Sequence, residues 1–194
     1  MSDYSFTRRD ALRALSALAA AGALDWSALA RAGHDAHMTA QAPGPIRYTL
    51  LGPADAADVE ALTSQIIPSD ESPGAREAAV TFFIDRALAS FFAHWQPGFL
   101  QGLAQFQAAV RAAHPQSTSF AALPAEQQIE FLHTIDTTPF FDQARLLTVC
   151  GMFCSPAYGG NRDGIGWKLL GFEDQHLFEP PFGYYDRDYP GHQS

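Results

Sequence analysis

The chain has 194 residues, which suffices for one domain of ordinary size and is too few for a multi-domain enzyme. Hydrophobic residues make up 47% of the sequence and charged residues 17%, so the chain can form a packed core and lacks the composition of a disordered protein. Its formal net charge of -9 argues against nucleic acid as a partner, because an acidic protein repels a phosphate backbone.

The first 32 residues have the order of a secretory signal. Two adjacent arginines, Arg8 and Arg9, precede an apolar run over residues 14–24, and small residues of the A-x-A type follow at 28–32. The apolar run is shorter than the ~20 residues of a membrane-spanning helix, so no transmembrane helix is predicted. The arginine pair favours the twin-arginine route, which exports folded proteins to the periplasm. An amphipathic N-terminal helix with incidental arginines is the alternative.

Residues 33–45 are small and polar with two prolines, so an extended arm is predicted over residues 33–52. Within it, residues 47–51 are expected to form a short strand or to lie along another surface. A helix is then predicted from Gly52-Pro53 to the residues before Pro68. Ser72-Pro73 repeats the arrangement of a cap followed by proline, and apolar residues recur at helical spacing from Val80 to Phe91. The sequence therefore predicts a second helix that starts at Ser72-Pro73.

Three further helices are predicted by the same signals. One follows Pro97-Gly98 and ends at His114-Pro115, and another starts at Pro124 with Ile129, Leu132 and Ile135 facing inward. The last runs from Thr138-Pro139 to Gly151. Residues 53–194 are therefore predicted to form an all-α domain, a compact bundle of about five helices with extended arms at both ends and a glycine-rich loop.

The glycine-rich loop covers residues 155–167, which we predict to be too irregular for a helix. It lacks a G-x-G-x-x-G pattern, because Leu169 occupies the third glycine position, and no phosphate-binding G-x-x-x-x-G-K-[ST] run exists. The loop still concentrates hydrogen-bonding and aromatic side chains, which is typical of binding loops. These candidate contact residues are Tyr158, Asn161, Arg162, Asp163 and Trp167.

The last residues of the chain are rich in proline and aromatic side chains without periodicity. Phe182, Tyr184 and Tyr185 are of the types favoured as interface anchors, so we expect this C-terminal arm to lie over a partner. An arm folded back on its own bundle is the alternative.

The two cysteines, Cys150 and Cys154, are spaced so that a helix would place both on one face. Three interpretations stay open: two buried small side chains, a disulfide in an oxidising periplasm, or a redox or metal pair. No histidine pair has metal-binding spacing on a helix, and no G-x-S-x-G run exists. We therefore predict no catalytic, cofactor-binding or metal-binding residue in this chain.

Two blocks of the sequence resemble one known family. Residues 66–78, IIPSDESPGAREA, followed by residues 83–88, FIDRAL, resemble the gluconate 2-dehydrogenase subunit 3 family. Residues 156–163, PAYGGNRD, and 166–172, GWKLLGF, are similar to that family's Y-G-G-N-x-x-x-x-G-W-x-x-x-G-F signature. Residues 156–172 are called the signature segment below.

The resemblance implies an accessory role. Members of this family are small subunits that accompany a large GMC-type flavoprotein, which holds FAD and oxidises a sugar, sugar acid or glycoside. Some of these complexes add a multihaem cytochrome c that passes electrons to quinone. The resemblance thus implies a partner that supplies FAD, and a small subunit that brings the only export signal. Two other functions stay open: a periplasmic module that binds a small ligand, or a small enzyme in which Tyr158, Arg162 and Asp163 contact substrate.

Overall fold

The computed structural model describes residues 47–175, and over this range the chain forms α-helices and short 3₁₀ turns without strands. The all-α prediction is confirmed. The six α-helices are α1 (Pro53–Ile66), α2 (Val80–Ala89), α3 (Gln96–Ala113), α4 (Ala125–His133), α5 (Pro139–Phe153) and α6 (Ile165–Leu170). Among the residues described, no helix is both long and apolar enough to cross a membrane.

Proline and its preceding residue set several helix starts as the sequence predicts. Pro53 and Pro139 occupy the first turns of α1 and α5, where the missing amide hydrogen costs nothing. Thr138 caps α5, because its hydroxyl oxygen accepts a hydrogen bond from the Phe141 amide at 3.3 Å. Helix α3 ends at Ala113, directly before the predicted stop.

The predicted start of the second helix is wrong, because α2 begins at Val80 and not after Ser72-Pro73. The Glu77 carboxylate accepts hydrogen bonds from the Ser69 hydroxyl at 2.6 Å and the Gly74 amide at 2.9 Å, and the former is the main reason for a lowered pKa of Glu77. Ala79 then adopts a left-handed conformation, with φ of 56°, which interrupts any helix. Residues 72–79 therefore form turns that fold back on the end of α1.

The prediction for α4 is wrong at one position, because Ile129 faces outward and is 47% exposed. Gln128 sets the rotation of the helix: its side-chain amide donates to the backbone oxygens of Phe120 and Leu123 at 3.1 and 3.0 Å. With Gln128 held inside, the buried face of α4 consists of Gln128, Phe131 and Leu132, at i, i+3 and i+4. Ile129 lies about 100° further around the helix than Gln128 and is left exposed at the flank of that face.

Helix α5 is the centre of the bundle and packs against α1, α2, α3 and α6. Beside it lies a cluster of phenylalanine rings: Phe106 is 4.9 Å from Phe120, 5.7 Å from Phe131 and 5.5 Å from Phe140, measured between ring centroids. These separations are typical of favourable aromatic pairs. The cluster fixes α3, α4 and α5 relative to one another and leaves the end of α5 to support the signature segment.

Candidate functional site

The backbone of the signature segment turns repeatedly through left-handed conformations. The 3₁₀ turn Pro156–Tyr158 ends at Gly159, with φ of 93°, and Asn161 and Asp163 follow with φ of 45° and 57°. Gly164, with φ of 66°, leads into α6. The short helix α6 lies inside the part of the sequence predicted to be an irregular loop, so that prediction is wrong from Ile165 onward. Contacts with the end of α5 hold this short helix in place.

Asn161 joins the signature segment to the end of α5. Its side-chain amide donates to the Cys154 backbone oxygen at 2.8 Å, and its side-chain oxygen accepts from the Gly166 amide at 2.7 Å. Its own backbone amide donates to the Gly151 oxygen at 2.8 Å. The residue is fully buried. Asparagine fits here because it tolerates the left-handed conformation and offers both a donor and an acceptor.

Two glycines allow the backbone of the signature segment to touch the backbone of α5. A Cβ atom on Gly160 would lie 2.2 Å from the Gly151 oxygen, and one on Gly166 would lie 1.9 Å from the Met152 oxygen. Both separations are far below any real carbon–oxygen contact. Glycine is therefore required at both positions because of close approach, a need that φ alone does not reveal.

Trp167 fixes α6 on α5 and shapes the end of the segment. Its indole Nε1 donates to the Phe153 backbone oxygen at 3.0 Å, and its ring meets the Phe172 ring edge to face at 5.2 Å. Gly171, with φ of 65°, caps α6, and the Phe172 amide donates to the Trp167 oxygen at 2.9 Å. The indole hydrogen is thus used within the chain, and Trp167 as a whole is half-buried.

The structure separates the predicted contact residues into two groups. Arg162 and Asp163 are exposed, and Tyr158 and Trp167 are half-buried, so these four reach the surface. Asn161 does not, and its predicted contact with a partner is corrected to an internal role that shapes the loop, because both polar ends of its side chain are bonded within the chain. Arg8, Arg9, Phe182, Tyr184 and Tyr185 lie outside the described residues.

Asp85 is a structural residue that the sequence analysis did not single out. Its carboxylate is fully buried and accepts hydrogen bonds from the amides of Thr49, Leu50 and Leu51 at 2.7, 2.8 and 2.8 Å. Charge-assisted bonds of this kind are stronger than neutral ones. An acid on the apolar face of a predicted helix was the available signal. Asp85 therefore fixes residues 49–51, the end of the predicted N-terminal arm, against α2, and these residues form no strand.

A groove of about 950 Å³ runs along α1 between this anchored segment and the start of α4. Its lining includes Arg47, Tyr48, Glu60 and Arg76, and Arg76 pairs with Glu60 at 3.0 Å. Burial raises the pKa of Tyr48, and the charges of Glu60 and Asp85 raise it further, while Arg162 lowers it. The charged side chains of the lining are therefore the Glu60–Arg76 pair and Arg47.

Cys150 and Cys154 are free thiols, both partly buried. Burial raises the pKa of Cys150 and raises that of Cys154 to about 12. Thiols with such pKa values hold little thiolate at neutral pH, and the thiolate is the reactive form. The disulfide stays a prediction. Within residues 47–175, no group of three or more His, Cys, Asp or Glu side chains is arranged to hold a metal ion.

Comparison with known proteins gives one match. A family model described as gluconate 2-dehydrogenase subunit 3 matches residues 53–174, which include all six helices and the whole signature segment. No curated protein and no solved structure matches the chain.

Proposed function

Because the chain belongs to the gluconate 2-dehydrogenase subunit 3 family, we propose that it is the non-catalytic small subunit of a dehydrogenase complex. In this proposal it binds, stabilises and co-exports a larger GMC-type flavoprotein, which holds FAD and oxidises a sugar, sugar acid or glycoside. A multihaem cytochrome c is a third subunit that such a complex can contain. The observation on which the proposal depends is the family match over residues 53–174.

The hydrogen bonding of the buried polar side chains supports a scaffold and not a reaction centre. Asp58 accepts from the Ala121 amide at 2.9 Å, and Asp85 accepts from three amides of its own chain. Gln128 and Asn161 are likewise bonded to backbone groups. A catalytic acid, base or nucleophile needs polar atoms directed at a substrate. These four side chains instead fix one segment of backbone to another.

The proposed interface contains the surface residues of the signature segment together with the C-terminal arm. Arg162 and Asp163 are exposed and Tyr158 is half-buried on a backbone fixed to α5, so they are presented in a defined geometry. Aromatic and arginine side chains are the types that contribute most to protein interfaces. Phe182, Tyr184 and Tyr185 are proposed to extend this interface.

Co-purification tests the proposed complex. The chain should be tagged and expressed with the GMC-type flavoprotein encoded nearest to it in the genome. We expect the eluate to contain a larger protein with flavin absorbance, in a ratio that survives gel filtration. Recovery of the tagged chain alone, with the flavoprotein present and folded in the flow-through, would contradict the proposal.

Fractionation of cells tests co-export. Replacement of both Arg8 and Arg9 by lysine should keep the flavoprotein and its activity in the cytoplasm, because the twin-arginine pathway reads the arginine pair. Arg13→Lys is the matched control, since it changes a neighbouring arginine of the leader outside the pair. Normal periplasmic dehydrogenase activity in the double variant would rule out the co-export model.

The groove along α1 supports a second candidate, a stand-alone periplasmic module that binds a small ligand. Its volume of about 950 Å³ is at the upper end of the range for small-molecule sites. This candidate predicts that sugars or sugar acids raise the melting temperature of the chain without any partner. Dehydrogenase activity of the purified chain alone would instead favour the remaining alternative, a small enzyme.

A further inference from the structure

Helices α5 and α6 expose an unusual concentration of large apolar side chains. Leu169, Leu170 and Phe172 are 44%, 61% and 45% exposed, and Leu146 and Val149 of α5 are 38% and 44% exposed. These five residues are called the apolar strip. Apart from them, Ile129 is the one other large hydrophobic side chain that is exposed among residues 47–175. Contiguous exposed apolar surface commonly marks an interaction site.

The geometry of α5 and α6 brings the members of the strip together. Leu146, Val149 and Phe153 are spaced i, i+3 and i+7, so they share one face of α5. Phe153 is also the residue whose backbone oxygen binds the Trp167 indole, and Gly166 packs directly on the Met152 oxygen. Helix α6 is therefore fixed at the end of α5, and Leu169 and Leu170 lie three and four positions after Gly166, on the face of α6 that packs against that end.

We infer that the apolar strip is a docking surface for the flavoprotein subunit, a deepening that rests on the proposed function. The occupant is a folded partner that presents an apolar surface. The strip by itself is too small for a stable pair of identical chains, because a specific interface takes about 20–30 residues from each side. Leu169, Leu170 and Phe172 belong to the signature segment, so the strip reaches that size only together with the rest of the exposed surface of that segment.

The continuation of the chain supports the same occupant. The described residues end at Gln175, three residues beyond Phe172, and the 19 residues that follow include Phe178, Phe182, Tyr184, Tyr185 and Tyr189. The chain thus leaves the strip with a run of residues of the types that anchor interfaces. Three of the five strip residues belong to the signature segment, and the C-terminal residues follow that segment in the sequence, so one large partner can contact all three regions.

Charge substitutions within the strip test the inference against a matched control. Leu170→Glu and Val149→Glu each place a charge on an exposed position of the strip, and Ile129→Glu does the same at an equally exposed position on α4. In the co-expressed complex, we expect Leu170→Glu and Val149→Glu to weaken the affinity for the flavoprotein at least tenfold. Ile129→Glu should change it less than twofold. All three chains, expressed alone, should melt within a few degrees of the unsubstituted chain.

Each other outcome overturns the inference in a way that identifies what is wrong. If the unsubstituted chain binds no flavoprotein, the proposed function fails and the inference fails with it. If that chain binds and Leu170→Glu binds equally well, the proposed function stands and the inference alone is overturned. A large loss of melting temperature in both Leu170→Glu and Val149→Glu, with Ile129→Glu unaffected, would mean that the strip is already covered within the chain. A dimer of the chain alone that Leu170→Glu converts to a monomer would assign the strip to a second copy.

Discussion

The phenylalanine cluster and the signature segment are both packed against α5, and they achieve this with different kinds of contact. In the cluster, Phe106 lies 4.9 to 5.7 Å from three other rings, measured between ring centroids. These are apolar contacts of the same type, and none of them depends on a particular hydrogen bond. In the signature segment, Gly160 and Gly166 meet backbone oxygens with no room for a methyl group, and Asn161 makes bonds that no other side chain reproduces. We therefore expect the phenylalanine cluster to tolerate substitutions by other apolar residues and the signature segment to lose stability on substitution at these three positions.

Gly166→Ala is expected to have the largest effect. The added Cβ would lie 1.9 Å from the Met152 oxygen, and neither backbone can move without breaking the bonds of Asn161 or the α5 helix. We expect a loss of more than about 3 kcal/mol in the free energy of unfolding, measured by urea denaturation. Gly98→Ala is the control, because nothing lies within 4 Å of a Cβ at that position of α3. An equal loss in both variants would contradict the close-packing argument.

Asn161→Ala should cost about 2 to 4 kcal/mol, because it leaves the Cys154 oxygen and the Gly166 amide without partners and places alanine at a φ of 45°. Asn161→Gly removes the same bonds and keeps the backbone conformation accessible. The difference between the two variants in the free energy of unfolding, measured by urea denaturation, gives the cost of holding alanine in the left-handed conformation. If Asn161→Ala matches the unsubstituted protein, the side chain does not hold the segment.

Asp85→Asn is expected to cost about 1.5 to 3 kcal/mol, because an amide accepts more weakly than a carboxylate and turns donor hydrogens toward the Thr49 to Leu51 amides. The effect should be local, since only residues 47–51 depend on it. Hydrogen exchange should show faster exchange at these three amides, with the phenylalanine cluster unchanged. Uniform acceleration throughout the protein would mean that Asp85 stabilises the whole bundle.

Phe106→Leu tests the tolerance of the phenylalanine cluster. Leucine is smaller but apolar and keeps most of the packing, so we expect a loss of about 1 to 1.5 kcal/mol and a cooperative unfolding transition. The measurement is thermal unfolding followed by circular dichroism. A loss as large as that of Gly166→Ala would remove the distinction between the two regions.

The smallest effect at neutral pH concerns Cys154, whose pKa burial raises from 9.0 to about 12. A group with a raised pKa contributes its full stability below the unfolded pKa, and that contribution is lost as pH rises toward the folded pKa. We therefore expect the ionisation of this thiol to leave stability unchanged with pH below about pH 9 and to lower it above that pH. The decline should be shallower in Cys154→Ala. Identical pH profiles for both proteins above pH 9 would exclude this cause.

The helices α1, α3 and α5 were predictable because proline and threonine at their starts act through local backbone geometry alone. The start of α2 was not, because Glu77 and Ala79 impose a turn through contacts that a periodic pattern does not contain. Ile129 was predicted on the wrong face because the rotation of α4 depends on the bonds of Gln128 to a distant loop. The short helix α6 was missed because Gly166 serves a contact with α5, whereas Gly164 and Gly171 cap the helix in the left-handed conformation.

The sequence alone determined the all-α fold and the family of this protein. Apolar periodicity, prolines at helix starts and the residue types of the signature segment can all be recognised from the order of the residues. Tertiary structure decided which residues of that segment reach the surface. Arg162 and Asp163 do so, whereas Asn161 is buried, because the close approach of two backbones at Gly160 and Gly166 fixes the direction of every side chain between them. The apolar strip likewise appears only when α6 is placed on the end of α5. That placement depends on contacts such as the bond of Trp167 to Phe153, 14 positions earlier, which helical periodicity does not predict.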